Sequence, residues 1–471
     1  MEGNLPACFK AYDVRGRVPE DLDEALAEGV GRAFVEVLQA DRAAGLGAAD
    51  RDATDRVRVA LGQDVRESSP ALSTALARGL IRGGADVLDL GLCGTEMVYF
   101  ATFHHRLDGG IMVTASHNPK GYNGLKLVRA GARPVSGDTG LHDLGRAAVA
   151  GGLPDAPAPG TVSRLDLLPA YVAHLLSWVD RDALKPLKIV VDAGNGCAGP
   201  VAGRLACELP FRIVPLRFQP DGTFPTGVPN PLLPGNRELC ADAVRREGAD
   251  LGVAFDGDFD RCFFFDDRGD FVEGYYLVGL LAKQALRQAP GARIVHDPRL
   301  TWNTIDIVRA SGGIPVCSKT GHAFIKERMR AEDAVYGGEM SAHHYFRRFG
   351  YCDSGMIPWL LVATHLCREG VTLHDAIGDR IERFPCSGEI NREVADIAAS
   401  IRAVHDRYAP VALDEDRTDG LSLTFADWRF NLRGSNTEPL LRLNVETRAD
   451  RELLHDRTDE VLAVIDGRPG L

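Results

Sequence analysis

No stretch of this 471-residue chain approaches the roughly 20 consecutive apolar residues that span a bilayer. The opening residues, MEGNLPACFKAYDVRG, lack the apolar segment of a secretion signal, so a cytoplasmic protein is expected. Basic charge is also short: 54 Lys and Arg stand against 66 Asp and Glu, a formal net charge of −12. Proteins that coat a polyanion draw affinity from the opposite imbalance, which argues against nucleic acid or an anionic membrane as partner. A small phosphorylated ligand stays open, because a few clustered arginines grip one phosphate. The ten cysteines are scattered with no CxxC pair and read as reduced thiols, not as a disulfide framework. The pairs His104-His105 and His343-His344 lack HExxH spacing and do not make a zinc site. What remains is ordinary for a soluble globular protein: 45% hydrophobic, 25% charged, long enough for about three to four domains.

Short apolar runs alternate with amphipathic stretches. Residues 56–61 (RVRVAL) predict a strand, and residues 70–82 a helix that opens on Pro70 and stops at Gly83-Gly84. Residues 85–90 and 109–114 predict two more strands. The theme returns at 187–192 (LKIVVD), with a helix to 205 and a strand at 211–216. It returns again at 292–297 (ARIVHD), with a helix ending at Gly312-Gly313 and a strand at 314–317. Each time an aspartate closes the first strand: Asp64, Asp192, Asp297. That predicts a triplicated α/β unit with buried parallel strands. Residues 151–160 (GGLPDAPAPG) and 384–389 (FPCSGE) read as linkers, and a further boundary falls shortly after Arg268-Gly269. Beyond 384 come a helix at 394–408, strands at 421–425, 428–432 and 440–446, and a helix at 451–465, which predict an α+β unit with antiparallel strands. The expected domains are 1–155, 156–269, 270–383 and 384–471.

Several segments carry chemistry. Thr114-Ala-Ser-His-Asn-Pro-Lys-Gly-Tyr-Asn-Gly-Leu-Lys126 puts the Ser116 hydroxyl just past a buried strand, where α/β sheets place ligands. A Ser-His hydrolase is disfavoured because GxSxG is absent. Asp256, Asp258 and Asp260 follow the apolar run 251–255; three alternating carboxylates repel one another unless a cation sits between them, and all-oxygen ligation favours Mg²⁺. An EF-hand loop would need Gly where Arg261 stands and Glu where Asp267 stands. Glu339, Ser341 and His343 alternate after a strand and suit sugar hydroxyls. Lys319-Thr-Gly-His322 is cationic and glycine-containing, as a phosphate neighbour would be. Arg433-Gly-Ser-Asn-Thr437 has the composition of a phosphate cradle, with Arg442 as a second cation. Gly194-Asn-Gly-Cys-Ala-Gly199 fits the dinucleotide pattern GxGxxG, but Asp192 and Pro200 speak against a pyrophosphate there. A candidate nucleophile, a metal cluster, a polyol loop and a phosphate cradle together imply phosphoryl transfer on a phosphosugar.

These segments, from Cys8-Phe-Lys-Ala-Tyr-Asp-Val-Arg-Gly16 through TASHNP, DGDFDR and GEMSAHHYF to Arg433-Gly-Ser-Asn-Thr-Glu-Pro439, resemble the α-D-phosphohexomutase superfamily, and within it the bacterial phosphomannomutases. The resemblance covers nearly the whole chain. It implies four domains round a central cleft, three related α/β units with mixed sheets and a distinct α+β last one. It implies that Ser116 carries a phosphoryl group, that Asp256, Asp258 and Asp260 hold Mg²⁺ with Ser116 beside them, and that Arg261 contacts the phosphoryl group. Lys126 would be a general acid/base, its pKa depressed by neighbouring cations, with His117 also catalytic. Glu339, Ser341 and His343 would bind the sugar; Arg433, Ser435, Asn436 and Thr437, with Arg442, the distal phosphate. Arg15, Arg299, Lys319 and His322 would line the cleft. Gly434 stands where relatives often carry Ala or Ser. The implied reaction interconverts mannose 6-phosphate and mannose 1-phosphate through a hexose 1,6-bisphosphate, supplying nucleotide-sugar synthesis. A phosphoglucomutase or dual-specificity mutase is the alternative; a serine/metal phosphatase and a non-catalytic phosphosugar-binding protein rank below it. A phosphosugar is the expected partner, with the chain a monomer or homodimer.

Overall fold

The computed structural model describes residues 5–48, 56–434 and 440–467. The chain gathers into two compact units, one formed by the residues up to Phe271 with His343–Gly370, the other by Val272–Ala342 with the residues from Val371 onward.

The two main sheets of the first unit repeat one device. In one, Gly109–Val113 runs parallel to Arg58–Gln63, which is parallel in turn to Asp86–Leu92. After Val113 the chain turns through residues 114–121 and comes back as the antiparallel strand Tyr122–Arg129, with Met112 opposite Lys126. In the other, Leu251–Phe255 is parallel to Lys188–Asp192, itself parallel to Arg212–Leu216, and returns through residues 256–261 as the antiparallel Cys262–Phe265. A return this short is open only to antiparallel strands, since a parallel crossover needs a dozen residues or more. Apolar patterning alone predicts parallel strands; the mixed sheets are those the family resemblance implies. Every residue of Gly109–Val113 and Leu251–Phe255 is buried, so both read as unbroken apolar runs. The helices Glu24–Ala43 and Ser69–Arg82 cover the first sheet with Phe34, Leu38, Leu72 and Leu76 against Val59 and Ile111. Asp23 caps the longer helix by accepting from the Leu26 amide at 2.8 Å. The segment His343–Gly370 adds the antiparallel pair His344–Phe346 and Cys352–Asp353 and the helix Met356–Glu369, whose first amide donates to Glu96 Oε1 at 3.2 Å.

In the second unit Arg293–His296 lies between the parallel strands Ile314–Cys317 and Tyr336–Gly338. A separate antiparallel sheet is ordered Ile390–Glu393, Leu440–Thr447, Trp428–Gly434, Leu421–Thr424, Asp414–Asp416. Val404, Leu432, Val445, Val461 and Leu462 fill the core between that sheet and the helices Ile397–Tyr408 and Arg451–Ile465. The first of these begins at Ile397, not at 394, because Asp396 caps it through the Ala399 amide at 2.9 Å. Among the described residues no helix is long and apolar enough to cross a membrane.

The triplication is visible in one local motif. At the end of each unit's first strand the aspartate Oδ1 accepts the backbone amide two residues on: Arg66 to Asp64 at 2.9 Å, Gly194 to Asp192 at 3.0 Å, Arg299 to Asp297 at 2.9 Å. Each aspartate also pairs with an arginine: Arg66 at 3.4 Å, Arg217 at 2.8 Å, and Arg299 at 2.8 Å. An Asx turn of this kind stops the strand and aims the next segment the same way three times.

Candidate active site

Ser116 sits on the return between Gly109–Val113 and Tyr122–Arg129 and is almost fully buried. Its φ of +49° is in the left-handed region that favours glycine. The conformation is held from outside. The Arg66 guanidinium, itself 2% exposed, donates to four carbonyls of the loop: Ser116 at 2.9 Å, Asn118 at 2.6 Å, and Pro119 and Tyr122 at 2.8 Å each. Arg15, on the strand Val14–Arg17, adds a bond to Asn118 Oδ1 at 2.6 Å and is steadied by Asp13 at 2.6 Å.

The Ser116 hydroxyl donates to Asp256 Oδ2 at 2.6 Å, and Arg261 Nε donates to the same oxygen at 2.8 Å. Arg261 Nη2 stands 3.4 Å from Ser116 Oγ and also donates to His117 Nδ1. A guanidinium only donates, so Nδ1 is bare and the His117 proton is on Nε2. Burial first, then Arg261 and Arg15, push His117 well below its ordinary range and keep the ring neutral. Gly257 lets the two loops meet: a Cβ there would lie 2.7 Å from the Ser116 carbonyl oxygen.

Lys126 lies on the return strand, not in the loop its motif suggests. Its ammonium reaches Asp258 Oδ2 at 2.8 Å and Asp260 Oδ2 at 2.5 Å. This corrects the expected depressed pKa. Burial does pull it down, but Asp258 and Asp260 outweigh that and raise it above its ordinary value. The neighbours that matter are carboxylates, not the cations expected in the cleft. Asp258 in turn is held low against its own burial by Lys126, whereas burial and Asp258 push Asp260 up to about 8.

Asp256, Asp258 and Asp260 offer carboxylate oxygens within 4.8 Å of one another. Lys126 takes the Oδ2 atoms of Asp258 and Asp260, while both Oδ1 atoms are buried with no hydrogen-bond partner among the described residues. A buried acceptor left bare costs about 1–3 kcal/mol. Three carboxylates packed this closely also repel one another, and Asp260 is pushed up to about 8 by burial and Asp258. A hard divalent cation answers both, so the residues present fit one. Asp260 belongs to a second such group with His343 and Asp353; His343 Nε2 is 3.7 Å from Asp260 Oδ1.

The second unit gathers the remaining candidates. Arg299 Nη2 donates to Asp297 at 2.8 Å and to Ser341 Oγ at 3.2 Å, and lies 3.5 Å from Glu339. Glu339 accepts from the Gly321 amide at 3.0 Å, which ties the turn before His322 to this loop; Lys319 lies over the Phe324 ring at 4.7 Å. Arg433 and Arg442 are directly opposed across neighbouring strands. Ser435, Asn436 and Thr437 lie outside the described residues.

Several supporting residues escape sequence reasoning. Thr95 opens the helix Thr95–His104 and binds Asp258 twice, amide to carbonyl at 3.1 Å and hydroxyl to Oδ2 at 2.5 Å. In the second unit Arg429, paired with Glu446 at 2.8 Å, donates to the carbonyls of Pro298 and Arg299 at 2.9 and 3.0 Å. The only signal for Arg66 is the spacing after a strand-ending aspartate that it shares with Arg299. The GxGxxG segment proves to be a scaffold. Asp192 is taken by Arg217, and a Cβ at Gly196 would lie 2.6 Å from the Gly257 carbonyl oxygen, so this loop backs the acidic one.

Matches to family models follow the chain from end to end. Phosphoglucomutase/phosphomannomutase alpha/beta/alpha domain I matches residues 6–142, domain II 169–269, domain III 273–384 and the C-terminal domain 389–464. With that fold and this site, the chain belongs to the phosphoglucomutase/phosphomannomutase family and is a mutase, an isomerase of carbohydrate metabolism. It is 56% identical over 469 residues to a phosphomannomutase of Salmonella montevideo, covering 98% of this chain and 99% of that one. It is also 56% identical over 465 residues to a Xanthomonas campestris protein named phosphohexose mutases, with 98% and 100% covered. A solved phosphoglucomutase/phosphomannomutase family protein from Burkholderia thailandensis matches with a TM-score of 0.84 at 32% identity, covering 98% and 97%.

Proposed function

We propose that the chain is a cytoplasmic phosphomannomutase that interconverts mannose 6-phosphate and mannose 1-phosphate, supplying nucleotide-sugar synthesis. The observation that carries this reading is Ser116, whose hydroxyl is buried among Asp256, Arg261 and Lys126-bound carboxylates. Ser116 Oγ carries the phosphoryl group, which passes to a sugar hydroxyl as the P–Oγ bond breaks and the new P–O bond forms. Arg261 donates to the phosphoryl oxygens. Lys126 exchanges the proton of the reacting hydroxyl, and neutral His117 keeps Arg261 aimed at Oγ. Asp256, Asp258 and Asp260, with Ser116 beside them, hold Mg²⁺, which when bound neutralises charge on the transferring group. Glu339, Ser341 and His343 take sugar hydroxyls. Arg433, Ser435, Asn436, Thr437 and Arg442 hold the phosphate that is not reacting, and Arg15, Arg299, Lys319 and His322 add positive charge or hydrogen bonds. With one such serine, the hexose 1,6-bisphosphate intermediate turns round between the two transfers, and added bisphosphate activates enzyme that has lost its phosphoryl group.

Equal identity to relatives named phosphomannomutase and phosphohexose mutases favours a second reading, dual specificity for mannose and glucose phosphates. Parallel assays on both 1-phosphates, with Mg²⁺ and a trace of bisphosphate, separate the two. Net isomerisation is expected, abolished by chelator and restored by Mg²⁺, with Asp258→Asn needing more metal. Continuous phosphate release would instead identify a hydrolase, silence a binding protein, and full activity in excess chelator would remove the metal role.

A further inference from the structure

Arg433 and Arg442 are cross-strand neighbours, a placement in which like charges repel. Glu389, the residue just before the strand Ile390–Glu393, relieves it. Its Oε2 lies 3.2 Å from Arg433 Nη2 and 3.5 Å from Arg299 Nη1, and its Oε1 lies 3.5 Å from Arg442 Nη1. Three guanidinium groups from separate segments thus converge on one carboxylate. Each keeps a buried Nε with no hydrogen-bond partner among the described residues, so the cluster has donors to spare after Glu389 is served. Burial works to raise the Glu389 pKa, but Arg299, Arg442 and Arg433 outweigh it and keep the carboxylate ionised. Arg299 is shared with Asp297 and Glu339, so the excess lies with Arg433 and Arg442, two cations paired with the single carboxylate of Glu389, which leaves one positive charge for a phosphate to take.

We propose that Glu389 is an internal stand-in for phosphate. It holds the three arginines together when no substrate phosphate is present, and it competes with that phosphate for the same donors. The competition loosens the grip on the non-reacting end of the sugar, which a bisphosphate that must turn round requires. The arginines return to Glu389 as the phosphate leaves, so release does not expose a bare cationic cluster. The inference rests on reading Arg433 and Arg442 as phosphate ligands.

The test opposes two signs. If Glu389 only braced the arginines, its loss would weaken phosphate binding. If it competes, Glu389→Gln, which keeps the shape and removes the charge, binds phosphate more tightly. Calorimetric titration of the full chain with inorganic phosphate is expected to show about tenfold lower Kd for Glu389→Gln, the scale of one charge-assisted contact. KM for the phosphosugar falls with it, and kcat falls as release slows. Glu389→Asp, with its carboxylate drawn back from the arginines, shifts Kd in the same direction by less and serves if the Gln variant does not fold. Unchanged or weaker phosphate binding in both variants would overturn the proposal. Arg433→Ala measured alongside must lose affinity; if it does not, phosphate does not bind here and the reading of the site fails first, taking the inference with it.

Discussion

Ser116→Ala is expected to abolish turnover while leaving the fold intact. The hydroxyl is the oxygen from which the phosphoryl group departs and to which it returns, and its partners among the described residues, Asp256, Arg261 and His117, bring no hydroxyl to replace it. Intact-mass measurement should find a phosphorylated fraction in the parent chain and none in the variant. The far-ultraviolet dichroism of the two should coincide, since only one buried hydroxyl is removed. A variant whose rate stays within about tenfold of the parent, or roughly 1.4 kcal/mol in barrier, would mean that another group carries the phosphoryl.

Lys126→Ala should lower kcat by about 10²- to 10⁴-fold with little change in KM, the usual effect of removing a positioned acid or base. Its ammonium is raised above its ordinary pKa because Asp258 and Asp260 face it, so at neutral pH it enters the cycle protonated. The expectation is therefore a relay within each transfer: Lys126 gives its proton to the departing oxygen and takes the proton that the attacking hydroxyl loses. The variant also frees Oδ2 of Asp260, leaves that of Asp258 to Thr95, and strips one positive charge from the cluster, so it should need less Mg²⁺ for half-maximal residual activity. Initial rates against substrate and against metal separate the two effects. A loss confined to KM would make Lys126 a phosphate ligand and leave the proton transfer to another group.

Contiguous chemistry was legible from the chain alone. Ser116 and the three aspartates sit in short loops directly after apolar runs, and there the spacing along the chain is also the spacing in space. The closing helix Arg451–Ile465 and the antiparallel last sheet were equally plain, because their patterning and caps are local. The contacts made by strand register were not, although Arg442 and Lys126 were themselves among the expected residues. Arg442 faces Arg433 only because Trp428–Gly434 and Leu440–Thr447 pair as they do, and Lys126 meets the acidic loop only because its strand turns back beside Gly109–Val113. Arg66, Thr95, Glu389 and Arg429 look in sequence like any polar residue near an element boundary, and their roles consist of hydrogen bonds to distant backbone or to other charges. The misleading glycine pattern at 194–199 has a physical source as well: close packing of two backbones asks for the same residue as close approach of a backbone to a pyrophosphate.

The left-handed backbone at Ser116 also sets activity against thermal resistance. An L-residue in that region costs about 1–2 kcal/mol relative to glycine, and Arg66 and its four carbonyl bonds hold it there. Ser116→Gly and Ser116→Ala lose the same hydroxyl, but only glycine relieves the backbone, so the glycine variant should melt at the higher temperature in a calorimetric comparison. Once the hydroxyl is lost, selection for heat tolerance would favour glycine over alanine at 116, because the hydroxyl's bond to Asp256 no longer offsets the backbone cost. If the two variants melted together, the loop would be relaxed as it stands and the position of the hydroxyl would carry no cost in stability.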